Sequence, residues 1–235
     1  MTRIPSHSIE DAPQAARSLL AEMVQFSPTG RLLNLHAQMA HAPAVLEAYV
    51  SIRRATARHG TLEGPIRSAL MLTAAVHDGS EYALAIISML ALRSGWHRDQ
   101  VEALLAGKDL GEEKTDALVS VVREAAAHSG RVSDTAWARA VGIGWNDEQL
   151  AEAFAYLGLT VFTSYFLNYA GTELDIPAGA PGSGPADAGP ADVGPSYGGT
   201  ARFAAALPTC RSSARSSWWP ASAPSWFRAS AHASP

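Results

Sequence analysis

No proline occurs between Ile66 and Ile176, whereas nine of the chain's 14 prolines lie from Pro177 onward. Proline removes a helix hydrogen bond and its ring clashes with the preceding turn, so a proline-free stretch suits helices and a proline-dense one does not. That distribution divides the sequence near position 176 into a body, 1–176, and an appendage, 177–235.

Within the body the apolar period is helical almost throughout, and strand signals are absent. Pro13, Pro43 and Pro65 stand where helices open, and Gly60, Gly79, Gly95 and Gly171 where they close. Ser80 is placed to cap the helix EYALAIISMLALRS. RDQVEALLAG, EEKTDALVSVVREAAAHSG, SDTAWARAVGIG and NDEQLAEAFAYLGLTVFTSYFLNYAG each start polar or acidic and reach a glycine near their ends. The expected fold is all-α, an orthogonal bundle of about eight helices joined by short turns. No repeat of fixed period is evident over the body.

With 47% hydrophobic residues the chain can build a core. The appendage opens on AGAPGSGPADAGPADVGPSYGG, linker composition that is expected to be disordered. Beyond it Arg202, Arg211, Arg215 and Arg228 accompany Trp218, Trp219 and Trp226 with no acidic residue. Arginine with tryptophan can hold single-stranded nucleic acid or an anionic surface, but no hydrophobic period accompanies them and the segment reads as an unselected tail. The formal charge is −4, and without those four arginines 14 basic residues face 22 acidic ones in the rest of the chain, a charge of −8. An acidic body argues against a nucleic-acid partner.

Cys210 is the one cysteine, which excludes an intrachain disulfide, a Cys-x-x-Cys redox pair and a cysteine-built zinc site within one chain. The start MTRIPSHSIEDAP lacks the pattern of a secretory signal, so a cytoplasmic location is expected. Ala153 to Thr172 carries no formal charge and approaches the length of a membrane span. Tyr156, Thr160, Thr163, Ser164, Tyr165 and Asn168 interrupt it and no basic cluster flanks it, so a buried helix and no membrane are expected.

Several segments in order carry a family resemblance: the start RIP, GRLLNLHAQMAHAPAVLEAY, IRSALMLTAAVHDGSEYALAIISMLALRSGW, and DEQLAEAF followed by NYAGTELDIP. Over residues 3 to 177 the chain resembles the carboxymuconolactone decarboxylase and alkylhydroperoxidase AhpD-like proteins. The resemblance implies an AhpD-like helical domain that self-associates as a trimer or hexamer. In the peroxidase branch it further implies a Glu, then Cys-x-x-Cys, then a His, the thiols and imidazole returning to one helical face. Those positions here hold Ser68, Ser80, Ala83 and Ile87, none of which can supply the thiolate, the base or the imidazole. Thiol peroxidase activity is therefore not expected, and the family name predicts fold better than reaction.

The polar run His77-Asp78-Gly79-Ser80-Glu81-Tyr82 lies at a helix junction where the resembling family keeps its pocket. His77, Tyr82 and Ser80 are candidate catalytic residues, and Asp78, Glu81 and Ser68 candidate substrate-binding ones. Against this stands a structural account in which Asp78 and Ser80 cap a helix, Gly79 makes the turn and His77 is exposed. His36 and His41 are five apart, which does not bring two imidazoles to one helical face, so packing is expected there and no metal. His59 reads as a helix end, His97 as a surface turn, and Glu63, Asp134, Asp147 and Glu148 as helix-start acids. No phosphate loop or dinucleotide fingerprint is present, so no cofactor is expected.

Three functions compete. One is a non-thiol acid/base enzyme acting on a small carboxylated or lactone-like metabolite, by decarboxylation or isomerisation, for which a polar pocket holding His77 and Tyr82 would speak. Another is a catalytically silent oligomeric binding or scaffold protein, for which a dry apolar patch around Ala83 and Ile87 would speak. The third, an alkylhydroperoxidase, follows from family membership alone and is contradicted by the missing cysteines.

Overall fold

A computed structural model of the protein describes residues 2–176. The readings made for 177–235, Cys210 included, lie outside the described residues. Nine helices and no strand are found among those described: α1 (Gln14–Gln25), α2 (Asn34–Met39), α3 (Pro43–His59), α4 (Gly64–Asp78), α5 (Glu81–Arg93), α6 (Arg98–Leu105), α7 (Glu113–Ala127), α8 (Asp134–Gly142) and α9 (Asp147–Ala170). The all-α expectation holds. The helix beyond the eight expected is α2, six residues with no side-chain cap and no first-turn acid. Its helicity comes from burial, since Leu35 through Met39 are all inside.

Capping follows the punctuation. Ser80, Ser133 and Asn146 accept backbone N–H bonds at the starts of α5, α8 and α9, and Gly79 and Gly171 take the left-handed conformation that closes α4 and α9. Small residues let the helices pack closely. Ser68, Ala69, Thr73, Ala74 and Ala75 of α4 are buried, and around them α4 packs on α5, α6, α7 and α9. Among the described residues α9 alone is long and apolar enough to cross a membrane, and half of its apolar stretch is buried against the other helices.

No repeat covers the whole body, but α4–α6 and α7–α9 share one offset, for which α1–α3 have no counterpart. α4 and α7 are both 15 residues long, and α7 starts 49 positions after α4 (64 to 113). The same offset relates the ends of α5 and α8 (93 to 142) and the starts of α6 and α9 (98 to 147). Trp96 and Trp145 share that offset and do the same work. Each buried indole donates its Nε1–H at 2.7 Å to a carbonyl at the head of the earlier helix, Pro65 or Lys114. Each backbone N–H bonds the buried Ala91 or Ala140. The sequence signature is Gly-Trp with Gln four residues after the Trp, Gly95-Trp96…Gln100 and Gly144-Trp145…Gln149, both glutamines closing a capping box.

Candidate functional site

The polar run at the α4–α5 junction is divided by the turn. Ser80 is 1% exposed and its hydroxyl accepts the Ala83 N–H, a helix cap. Glu81 is exposed in the first turn of α5, where a carboxylate is stabilised by the helix dipole. Tyr82 turns inward: its hydroxyl donates to Asp175 Oδ1 at 2.6 Å, and Asp175 Oδ2 accepts the Asn34 N–H at 2.9 Å. Burial first, then the Asp175 carboxylate, pushes the Tyr82 phenol above its ordinary range. Ser68 lies near the other end of α4, ten residues from Asp78, about 15 Å along a helix. Its hydroxyl meets Pro65 O and Ser94 Oγ, both at 2.8 Å. Ser80, Ala83 and Ile87 share the buried side of α5, and around Ala83 and Ile87 the surroundings are apolar core.

His77 and Asp78 face a different space. Both line a groove of about 850 Å³ whose walls are α9, through Phe162, Tyr165, Phe166 and Tyr169, and the end of α7, through Ala126 and Ala127. His77 is exposed at the edge, and Asp78 is half-buried. Burial holds the Asp78 carboxyl above its ordinary range, while Ser164 and then His77 act in the opposite direction. Ser164 Oγ lies near enough to be felt electrostatically, yet no hydrogen bond of ordinary geometry joins the pair. Asp78 Oδ2 and Ser164 Oγ are both buried without a protein partner, and Ser164 is fully enclosed. The groove's lining contains no lysine or arginine among the described residues.

The internal repeat supplies a control for Asp78. Shifting His77 and Asp78 by 49 positions gives Ala126 and Ala127, which end α7 and line the same groove. The α7 end carries neither a histidine nor a carboxylate at these two positions, though it closes on His128 rather than on a left-handed glycine as α4 does. The turn account also fails for Asp78 in particular: Ser80 caps α5, while Asp78 is the last residue of α4, where the helix dipole disfavours negative charge.

A second polar cluster escaped sequence reasoning. His36, expected only to pack, is buried with Nε2 3.3 Å from the Tyr49 hydroxyl, which accepts from Arg53 at 2.7 Å. The other ring nitrogen, Nδ1, is buried without a protein partner. Burial, followed by the Arg53 charge, pushes the His36 pKa down to about 3. His41 is exposed and bonds Pro5 O at 2.8 Å. Glu63, His59 and His97 are exposed at helix ends. No group of three metal-ligating side chains occurs among the described residues.

No family model matches the sequence, and no curated protein does. Solved structures match the fold. A peroxidase-related protein with an alkylhydroperoxidase AhpD core from Ralstonia eutropha JMP134 superposes with a TM-score of 0.66 at 15% identity, covering 74% of this chain and 92% of that one. The debrominase Bmp8, as a cysteine-to-alanine variant in complex with 2,3,4-tribromopyrrole, gives 0.64 at 16% identity with the same coverage, 74% and 92%. A peroxidase-related protein from Silicibacter sp. TM1040 gives 0.61 at 13% identity, covering 73% and 91%. The chain thus has the AhpD-like helical fold.

Proposed function

We propose that this chain is a carboxymuconolactone decarboxylase-like, AhpD-fold protein without a thiol redox centre, and that it works on a small ring-shaped molecule held in the α9 groove. Proton transfer by Asp78 is its chemistry. The observation that carries this reading is the contrast between two helix ends, 49 positions apart, that line one groove: Ala126–Ala127 on α7, His77–Asp78 on α4. Residues that break a local rule without structural need are where function is sought. A carboxyl group raised by burial is a better general base near neutral pH than an ordinary one, and His77 at the groove edge can return the proton.

The catalytic role moves from Tyr82 and Ser80 to Asp78, with His77 kept. Tyr82, Ser80 and Ser68 have their hydroxyls engaged in structural hydrogen bonds away from the groove lining. Of the two ligand classes the resemblance implies, the carboxylated one fits poorly, because nothing cationic in the lining would receive it except a protonated His77. An uncharged, lactone-like ring fits better, and isomerisation by proton transfer needs no oxidant, metal or cofactor. That a protein of this fold holds a halogenated pyrrole supports a small planar ligand.

Incubating the full chain with a metabolite mixture in D₂O and following deuterium incorporation by mass spectrometry tests the reading. Incorporation that needs the protein and is lost in Asp78→Asn is expected. Incorporation identical in both proteins would remove Asp78 from the chemistry.

A silent oligomeric scaffold is the second reading, and two observations favour it. The side chains at Ala83 and Ile87 are sealed in apolar core, and Phe154, Tyr165 and Tyr169 stand 65%, 61% and 72% exposed along α9. On this reading a second copy covers the aromatic face. Sedimentation velocity of wild type against a Tyr165→Glu, Tyr169→Glu variant discriminates: dissociation by the variant together with no deuterium exchange supports the scaffold.

A further inference from the structure

Two enclosed oxygens meet where α4 ends against α9. Asp78 Oδ2 and Ser164 Oγ are both buried, neither has a partner in ordinary hydrogen-bond geometry, and Ser164 is fully enclosed. Because Oδ2 is shut away from the groove that Asp78 lines, the oxygen left to face the groove is Oδ1. One turn beyond Ser164, on the same side of α9, Asn168 Nδ2 reaches the Asp78 main-chain carbonyl at 3.5 Å. Residues a turn apart on α9 thus approach the carboxyl and the carbonyl of one residue on α4. A buried oxygen without a partner is costly, and the Ser164 hydroxyl carries a rotatable proton beside one. Ionisation makes a carboxylate the stronger acceptor and shortens such a bond. Ser164 already opposes the effect of burial on the carboxyl, ahead of His77. The other titratable groups on the packed elements are farther out. His77 stands at the groove edge, Tyr165 and Tyr169 line the groove from α9, Glu81 of α5 and His128 beyond α7 are exposed, and no residue of α6 lines the groove.

Resting on the reading of Asp78 as the group that moves the proton, we propose that Ser164 is its positioning residue. The Ser164 hydroxyl donates to Oδ2 of the ionised carboxyl, which fixes the roll of the carboxylate and leaves Oδ1 as the oxygen that takes up and returns the proton in the groove. Ser164 does not line the groove, so it acts on a ligand only through Asp78. Without the hydroxyl, an ionised Oδ2 would be enclosed with nothing donating to it, and the charged form would be disfavoured further.

Carboxyl carbon NMR of the full chain, titrated across the carboxylate range with the Asp78 signal identified by its loss in Asp78→Asn, reads this site with no ligand present. In Ser164→Ala the Asp78 midpoint is expected to rise by about one pH unit, the low end for a hydrogen bond to a charged group because the carboxyl is only half-buried. Thr163→Val removes a neighbouring buried hydroxyl that bonds Leu159 O at 2.7 Å within α9, and should leave the midpoint where it is. The acid limb of deuterium incorporation against pH should move with the carboxyl in Ser164→Ala, which a merely structural role would not produce. A midpoint unchanged or lowered in Ser164→Ala overturns the proposal, and so does one that rises equally in Thr163→Val. A carboxyl that shifts while the incorporation profile stays in place removes Ser164 from the chemistry. If wild type incorporates no deuterium at any pH, the reading of Asp78 as proton carrier fails and the catalytic half of the proposal with it, while the carboxyl titration still decides whether Ser164 holds Oδ2.

Discussion

Replacing Asp78 with asparagine should stabilise the protein while removing its chemistry. Asp78 ends α4, where the unpaired carbonyls of the last turn concentrate negative potential, and its Oδ2 has no partner. A charge at the wrong end of a helix costs about 0.3–1 kcal/mol when exposed and up to about 2 kcal/mol when partly buried. Asp78 is half-buried, so solvent screening keeps the effect near the middle of that span, about 1 kcal/mol. Asparagine removes the charge and can donate from Nδ2 toward Ser164. For a body of this size that corresponds to a rise in Tm of about 2–4 °C. The pH dependence follows from the raised carboxyl. The ionised form is the less favourable one in the folded state, so its penalty is full above the folded pKa. It is relieved as pH falls through that value and gone below the unfolded value near 3.8. Calorimetry at pH 7 and at pH 3.5 should therefore show the variant's advantage at the first and its disappearance at the second. A variant that melts lower than wild type at pH 7 would refute the reasoning, because Asp78 would then be holding the structure together.

Dithiol-dependent peroxide reduction should stay at background, and Cys210→Ser should not change it; turnover abolished by that substitution would restore a thiol mechanism. His36 is buried neutral with its pKa near 3 against 6.5 when free, so its contribution to stability is full above pH 6.5 and lost progressively below. The loss is about 1.4 kcal/mol per pH unit, or roughly 2 kcal/mol by pH 5. In urea titrations His36→Gln should flatten the slope of stability between pH 6.5 and 5 by about one proton, and an unchanged slope would show that His36 does not titrate as its burial implies. Tyr82→Phe strands Asp175 Oδ1 and should cost about 1–3 kcal/mol in urea unfolding, while deuterium exchange stays within about twofold. A hundredfold loss of exchange in a folded Tyr82→Phe protein would return the chemistry to the α5 side.

Much of the fold could be read from the sequence because it is written in local signals. Pro43, Gly79, Ser80 and Gly171 act within a turn of where they stand, and each sits where its chemistry requires. The α2 helix left no such mark, since tertiary burial forms it. The repeat was also legible in principle, through the paired Gly-Trp and the glutamines that follow, but only the shared indole-to-carbonyl bonds give that pattern a meaning. The site was legible only in part. His77 and Asp78 announced themselves as a polar run, whereas Ser164 is 86 positions from Asp78 and read as one of several polar interruptions in an apolar helix. Tyr82 was grouped with them by sequence proximity. The turn at Gly79 sends it to the other side of the helix pair, where Asp175 waits.

Soaking crystals of the full chain with a library of small planar fragments tests the central claim most directly. Fragments should collect in the groove between Asp78 and the α9 aromatics. The contradictory result is an α9 groove filled by a second copy of the chain, or left without fragments.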